Sequence, residues 1–457
     1  MKIRRFVTFF LLIVLSALAH ATDFVVNTTM DIHNTSGCTS LSCSLRDAIA
    51  AASPTGGDII SFDPTLTPGI IHLQSGPGFG ALTIDRPLTI SGPDARLLTI
   101  EGSGVDRVLE VTAGPISVSG VQLQDGFAGD LGSDGGNGVG GCIYVPVGGT
   151  LLLDGVDVRD CLAEGGAGTA GMLTGFGTSG GPGGTGMGGA IFVGGTVTIT
   201  NSSLVNNAAK GGRGGAGADG DPEGGTGPGN GGVAGAAAGG AIYVDAGGSV
   251  LVMNSTLAAN TVDGGSGGNS GSDIFDDAAD GGKGGDAYGG NIFVNSGASV
   301  SNIEFTTVAD GNVGGGAGGA GTFSDAPSGS EHGSDIYTSG ILNALSSAVV
   351  GVQDASLTLC EGRVDSLGST QNIDDDGSCA FGFSSSPGAK FLPVDLSAVL
   401  PVYMPVWRSA VIDNATTCED GMGASVTADE NGTSRPQGSK CDIGAVEADY
   451  IFVDGFE

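Results

Sequence analysis

"GGAIFVGGTVTITNSSLVNN" occupies residues 188–207, and "GGAIYVDAGGSVLVMNSTLAAN" follows at 239–260. The same phrase precedes them as "GGCIYVPVGGTLLLDGVDVRDC" at 140–161 and returns as "GGNIFVNSGASVSNIEFTTVADGN" at 289–312. Each copy reads as three short strands separated by turns, with GG opening the first strand and a second glycine-bearing turn opening the next. Three strands and three turns in so short a span make one rung of a β-helix. A single rung cannot bury its own apolar face, but a stack of rungs can.

Stacked about 4.8 Å apart, Ile143, Ile191, Ile242 and Ile292 form one column and Val145, Val193, Val244 and Val294 another. Strand alternation turns both columns inward. Tyr144, Phe192, Tyr243 and Phe293 then point the other way, as a candidate sugar-stacking or adhesive stripe. Asn207 and Asn260 align at a turn, where amides can bond from rung to rung. Cys161 holds that place in the first copy, close to Cys142 at the start of the same closed rung.

Between the copies lie glycine-rich insertions such as "AEGGAGTAGMLTGFGTSGGPGGTGM" at 163–187. They carry almost no large side chains to offset chain entropy. Two readings stand: mobile loops, or packed polyglycine ribbons lying over the aromatic column. Insertions at one corner fall on one face of a solenoid.

The ends read differently. Residues 1–21 carry a basic start, an apolar run and an "AHA" cleavage site, the pattern of a secretory signal peptide. In "CSLRDAIAAAS" (43–53), Ser44 and Asp47 can form a capping box, and Leu45, Ala48, Ile49 and Ala52 share one face. Such a helix would plug the open end of the solenoid within an N-terminal cap at 22–57. The β-helix proper is placed at 58–345, with GGxI repeats over about 140–338. Further rungs and a second cap follow at 346–450, and an acidic tail at 451–457.

Eight cysteines beyond the signal suggest disulfides in an exported chain. They fall as near neighbours: Cys38 with Cys43, Cys142 with Cys161, Cys360 with Cys379, Cys418 with Cys441. Sequential pairing is favoured among 105 alternatives. The formal charge of −33 repels nucleic acid and anionic lipid, and no apolar stretch after the signal is long enough to span a membrane.

Chemistry has few candidates. No carboxylate column recurs at equivalent positions of the four phrases, as glycosidic hydrolysis would need. The basic residues Arg159, Lys210, Arg213 and Lys283 share no register. "GGKGGDAYG" (281–289) fits a calcium-binding nonapeptide and "GGAGAD" (214–219) half of one, so Asp286 and Asp219 are candidate calcium ligands. No other cofactor is expected.

The GGAI phrases resemble the polymorphic outer membrane protein repeat, with Leu204 and Leu257 where that repeat has phenylalanine. "CSLRDAI" resembles the CSLREA domain, with Asp47 in place of glutamate, and "RPQGSKCDIGAVE" (435–447) resembles the end of the choice-of-anchor Q domain. The resemblance implies a right-handed parallel β-helix on or beyond a bacterial outer membrane, with no attached biochemical activity. The expectation is therefore an all-β, single-stranded right-handed parallel β-helix with a short capping helix and glycine-rich corner insertions. It would be exported, at the outer-membrane surface or extracellular. It would act as an adhesion, interaction or structural module toward a glycan or a host or neighbouring cell surface. A polysaccharide-degrading β-helix enzyme, lyase or glycoside hydrolase, is the alternative.

Overall fold

The computed structural model describes residues 22–34, 37–129, 135–174, 176–221, 227–272, 277–351, 357–368, 371–381, 389–392 and 401–448. The stretches read from the sequence as a signal peptide, 1–21, and an acidic tail, 451–457, lie outside them. The chain is a right-handed parallel β-helix, and the predicted columns exist in the predicted register. Ile143 pairs with Ile191, Ile191 with Ile242, and Ile242 with Ile292, all in parallel strands, with the valines alongside. Every one of these side chains is buried.

Three ladders enclose this core. The first holds the GGxI strands. The second holds Thr150–Asp154, Thr196–Thr200 and Ser249–Met253. The third holds Asp157–Arg159, Ser203–Val205 and Thr256–Ala258. The ten-residue strand Ile336–Leu345 runs through both of the first two ladders and joins them.

Both glycines of the phrase have a physical task. Gly140, Gly188, Gly239 and Gly289 take φ of 62°, 67°, 65° and 61°, where a side chain is strained. A Cβ on Gly141, Gly189 or Gly240 would overlap the carbonyl oxygen of the glycine in the next rung. At the other corners left-handed residues also stack in columns, as Asn201, Asn254, Phe305 and Ser346 do.

The solenoid starts earlier than the predicted boundary at 58, because Asp23–Val26 already pairs with Asp58–Phe62. The helix spans Leu45–Ala51 with the Ser44/Asp47 capping box formed. Leu45, Ala48, Ile49 and Ala52 are buried against the first rungs. All four disulfides pair sequentially. Among the described residues no helix is long and apolar enough to cross a membrane.

The glycine insertions are packed ribbons. Each leaves the solenoid through a strand such as Ala208–Lys210 and returns through one such as Ala237–Ala238. Small residues (Ala209, Val262 and Val313 against Ala237 and Ala287) close the neck between these two ladders. Beyond the neck, backbone hydrogen bonds recur every third residue. The Gly184 amide donates to Gly166, Gly212 to Gly184, Gly235 to Gly212, Gly265 to Gly235, Gly285 to Gly265, Gly316 to Gly285 and Gly329 to Gly316, at 2.8–3.0 Å. A parallel chain runs through Gly181, Gly215, Gly232, Gly268, Gly282 and Gly319. Three residues per turn without internal hydrogen bonds is the polyproline II geometry, so the ribbons form a two-layered plate of polyglycine helices. The ribbon glycines at the first two positions, such as Gly165, Gly166, Gly214, Gly215, Gly284 and Gly285, are buried, whereas Ala167, Arg213, Asn230, Val233, Lys283 and Ala317 at third positions face solvent.

Candidate functional site

The plate and the first ladder meet in a crease, and the aromatic column fills it. Tyr144, Phe192, Tyr243, Phe293 and Tyr337 stack with centroids 5.4, 5.5, 4.7 and 5.4 Å apart. The stripe read from the sequence is thus brought together and gains Tyr337. Its middle is covered, as in the reading of packed ribbons lying over the column. Phe192 and Tyr243 are only 8% exposed, packed with Val139, Met187, Ala238 and Tyr288 from the base of the plate. Burial, followed by the charge of Asp245, raises the Tyr243 pKa. Rings stacked on one another also offer their edges, not their faces, so the middle of the column has no face for a sugar.

The column's ends remain half-buried. At one, the Arg107 guanidinium lies over the Tyr144 ring, 5.3 Å from its centroid. At the other, Tyr288 stacks on His332 at 4.8 Å and meets Tyr337 edge-on at 5.0 Å. Glu361 stands one rung above Tyr337 and lies 2.9 Å from Nδ1 of His332.

The two calcium candidates have other partners. Both carboxylate oxygens of Asp286 bond Nζ of Lys283, at 2.8 and 2.9 Å, and one also accepts the Ser330 amide. Burial works to raise the Asp286 pKa, but the Lys283 and Ser330 hydrogen bonds outweigh it and the net shift is downward. Asp219 accepts the amide and hydroxyl of Ser272 in the neighbouring ribbon. The nonapeptide triplets are spent on the polyglycine plate, and no group of three or more His, Cys, Asp or Glu residues able to hold a metal occurs among the described residues.

A pair of carboxylates stands at the turn that follows the third ladder. Asp125 and Asp160 follow paired residues Gln124 and Arg159 and occupy one left-handed turn column in successive rungs. Burial first, then the charges of Asp160 and Glu101, raise the Asp125 pKa. Glu101 pairs with His72 at 2.7 Å nearby. The column is interrupted at Asn206, whose amide bonds Asp160, and at Ala259. This pair escapes the sequence reading because only Asp160 lies within a repeated phrase.

Further along, the outer face of the same ladder is covered by the C-terminal segment. Glu430 accepts from Ser203 Oγ at 3.3 Å and Thr256 Oγ1 at 2.6 Å, and the Ala445 amide donates to Thr307 Oγ1 at 3.0 Å. Arg435 lies over Phe305 at 5.0 Å, donates to the carbonyls of Asp442 and Gly444, and pairs with Glu447 at 3.3 Å. Arg435 and residues 441–447 of "RPQGSKCDIGAVE" therefore build a buried clasp, while residues 436–440 between them reach the surface. The sequence reading foresees a cap here but not that it lies lengthwise along a flank.

By these ladders the chain falls in the class of parallel β-helix proteins. Its structure is similar to a crystal structure of pectate lyase Pel9A, at 13% identity and a TM-score of 0.37, covering 94% of this chain and 97% of that one. No protein-family model matches the chain, and no curated protein matches it. So distant a likeness carries no argument about activity.

Proposed function

We propose that this is a non-catalytic, exported surface or secreted β-helix protein that acts as an adhesion, interaction or structural module. The observation that carries the reading is the glycine plate. Its zigzag hydrogen bonds fix four insertions into one rigid body, and its side chains lie in flat outward rows. Such a plate presents an extended surface to a partner. Four disulfides fit an oxidising, exported environment. Partners of the reading are a glycan or another cell's surface rather than nucleic acid, given the charge of −33.

One observation favours a second reading, glycosidic cleavage: the Asp125/Asp160 pair, in which burial and then the Asp160 and Glu101 charges raise the Asp125 pKa. One experiment separates the two. Purified protein is incubated with neutral and acidic polysaccharides, with and without calcium, and new reducing ends are measured. The proposal expects none. Release that disappears in Asp125→Asn would replace it with the hydrolase reading.

A further inference from the structure

We infer that the Tyr337 end of the aromatic column is a site for an arginine side chain presented by a partner protein. The inference rests on the reading of this chain as an interaction module and names its partner's chemistry.

The two ends of the stack differ in one respect. Below Tyr144, where Glu110 stands in register, a planar cation lies over the ring, the Arg107 guanidinium, fixed by its Nε donating to the Val139 carbonyl at 2.9 Å. The chain repeats the device in the clasp, where Arg435 lies over Phe305. Above Tyr337, in register, stands Glu361. Among the described residues no cation lies over Tyr337. The Lys283 ammonium nearby is held by both oxygens of Asp286. Both ends present a carboxylate in register, and the Tyr337 end, whose Glu361 side chain is 45% exposed and lies 2.9 Å from Nδ1 of His332, is the end with no guanidinium over its ring.

A ring face next to a carboxylate suits one group better than others. A guanidinium stacks flat on an aromatic ring and bonds a carboxylate through its fork at the same time. An ammonium is more strongly hydrated and lacks the plane. A neutral sugar would use the ring but bring no charge to the Glu361 carboxylate, whose only partner among the described residues is the His332 ring nitrogen, and an acidic sugar would meet a protein of charge −33. Charge also favours the encounter, since long-range attraction steers a basic partner toward this surface.

The test uses the whole mature protein and two fluorescent probes, a glycine-spaced hexa-arginine peptide and its hexalysine counterpart, read by anisotropy at physiological salt. The arginine peptide should bind several-fold more tightly than the lysine peptide. Glu361→Gln and Tyr337→Leu should each weaken arginine binding about three- to tenfold. Glu164→Gln, at the neck of the plate, should change nothing. Glu361→Gln keeps shape and volume, so it decides the matter even if Tyr337→Leu perturbs the stack. Equal binding of both peptides, insensitive to Glu361→Gln, would reduce the effect to the acidic surface at large and overturn the inference, as would no binding at all. Either failure leaves the proposed function standing, because that reading falls only to the release of reducing ends.

Discussion

Nδ2 of Asn260 lies 2.6 Å from Oδ1 of Asn291, although one residue closes a rung and the other opens the next. Asn207 donates to Asn260 at 2.9 Å on one side, and Asn291 donates to Asp335 at 2.6 Å on the other. The amide ladder therefore crosses the seam where rung ends meet rung starts. It begins where the Cys142–Cys161 disulfide occupies the same seam, with the Cys161 amide donating to Asn207.

Asn260 also accepts the Asn207 backbone amide and donates to the Leu204 carbonyl, all in the buried interior. Asn260→Ala orphans several of these groups, each at about 1–3 kcal/mol. We expect a loss of about 3 kcal/mol or more, read as a lower urea midpoint. An unchanged midpoint would show that water fills the place of the amide.

In the plate, a Cβ on Gly235 would overlap the Gly184 carbonyl of the adjacent ribbon. Gly235→Ala should cost about 1–3 kcal/mol by overpacking. The damage should be local: hydrogen exchange quickens in the ribbon amides of 212, 235 and 265, while amides of the Ile242 strand keep their protection. Uniform loss through the whole chain would contradict a plate held together by its own ribbon-to-ribbon hydrogen bonds.

The pH dependence has a worked sign. Burial pushes the Asp335 carboxyl from 3.8 up to about 7, against the opposing hydrogen bonds of Gly311 and Asn291. Burial likewise pushes Asp375 and Asp442 up to about 6 and raises Glu430. A carboxyl raised on folding contributes stability that is full below its unfolded value and lost as pH rises through the folded one. Asp47 and Asp286 are lowered and act the opposite way, losing their contribution as pH falls below the ordinary carboxylate range. The urea midpoint should therefore fall between pH 5 and pH 8. Asp335→Asn, which keeps the acceptor for Asn291 and Gly311, should flatten that fall. A midpoint that rises over the interval would contradict the assignment.

Replacing Cys142 and Cys161 together by alanine opens a loop of sequence separation 19. Loop entropy sets the cost at about 3 kcal/mol, visible as a lower melting temperature under oxidising conditions. Under reducing conditions the variant and the parent should converge at this rung.

The sequence by itself determined the rung, its register and its inward columns. A stacked fold places each residue above its own repeat, so Ile191 above Ile143 can be read without knowing anything distant. The capping box at Ser44 and Asp47 and the paired cysteines were legible for the same local reason. Tertiary structure alone decided the rest. A polyglycine ribbon has no internal hydrogen bonds, so its order exists only when Gly184 meets Gly166 and Gly212 from other strands. The burial of Phe192 and Tyr243 depends on that plate. Glu430 finds Ser203 and Thr256 only because the C-terminal segment returns along the flank. Asp125 meets Asp160 only through a turn column that no repeated phrase announces. Contacts between unlike segments leave no periodic trace, and these are the contacts that shape the surfaces this protein presents.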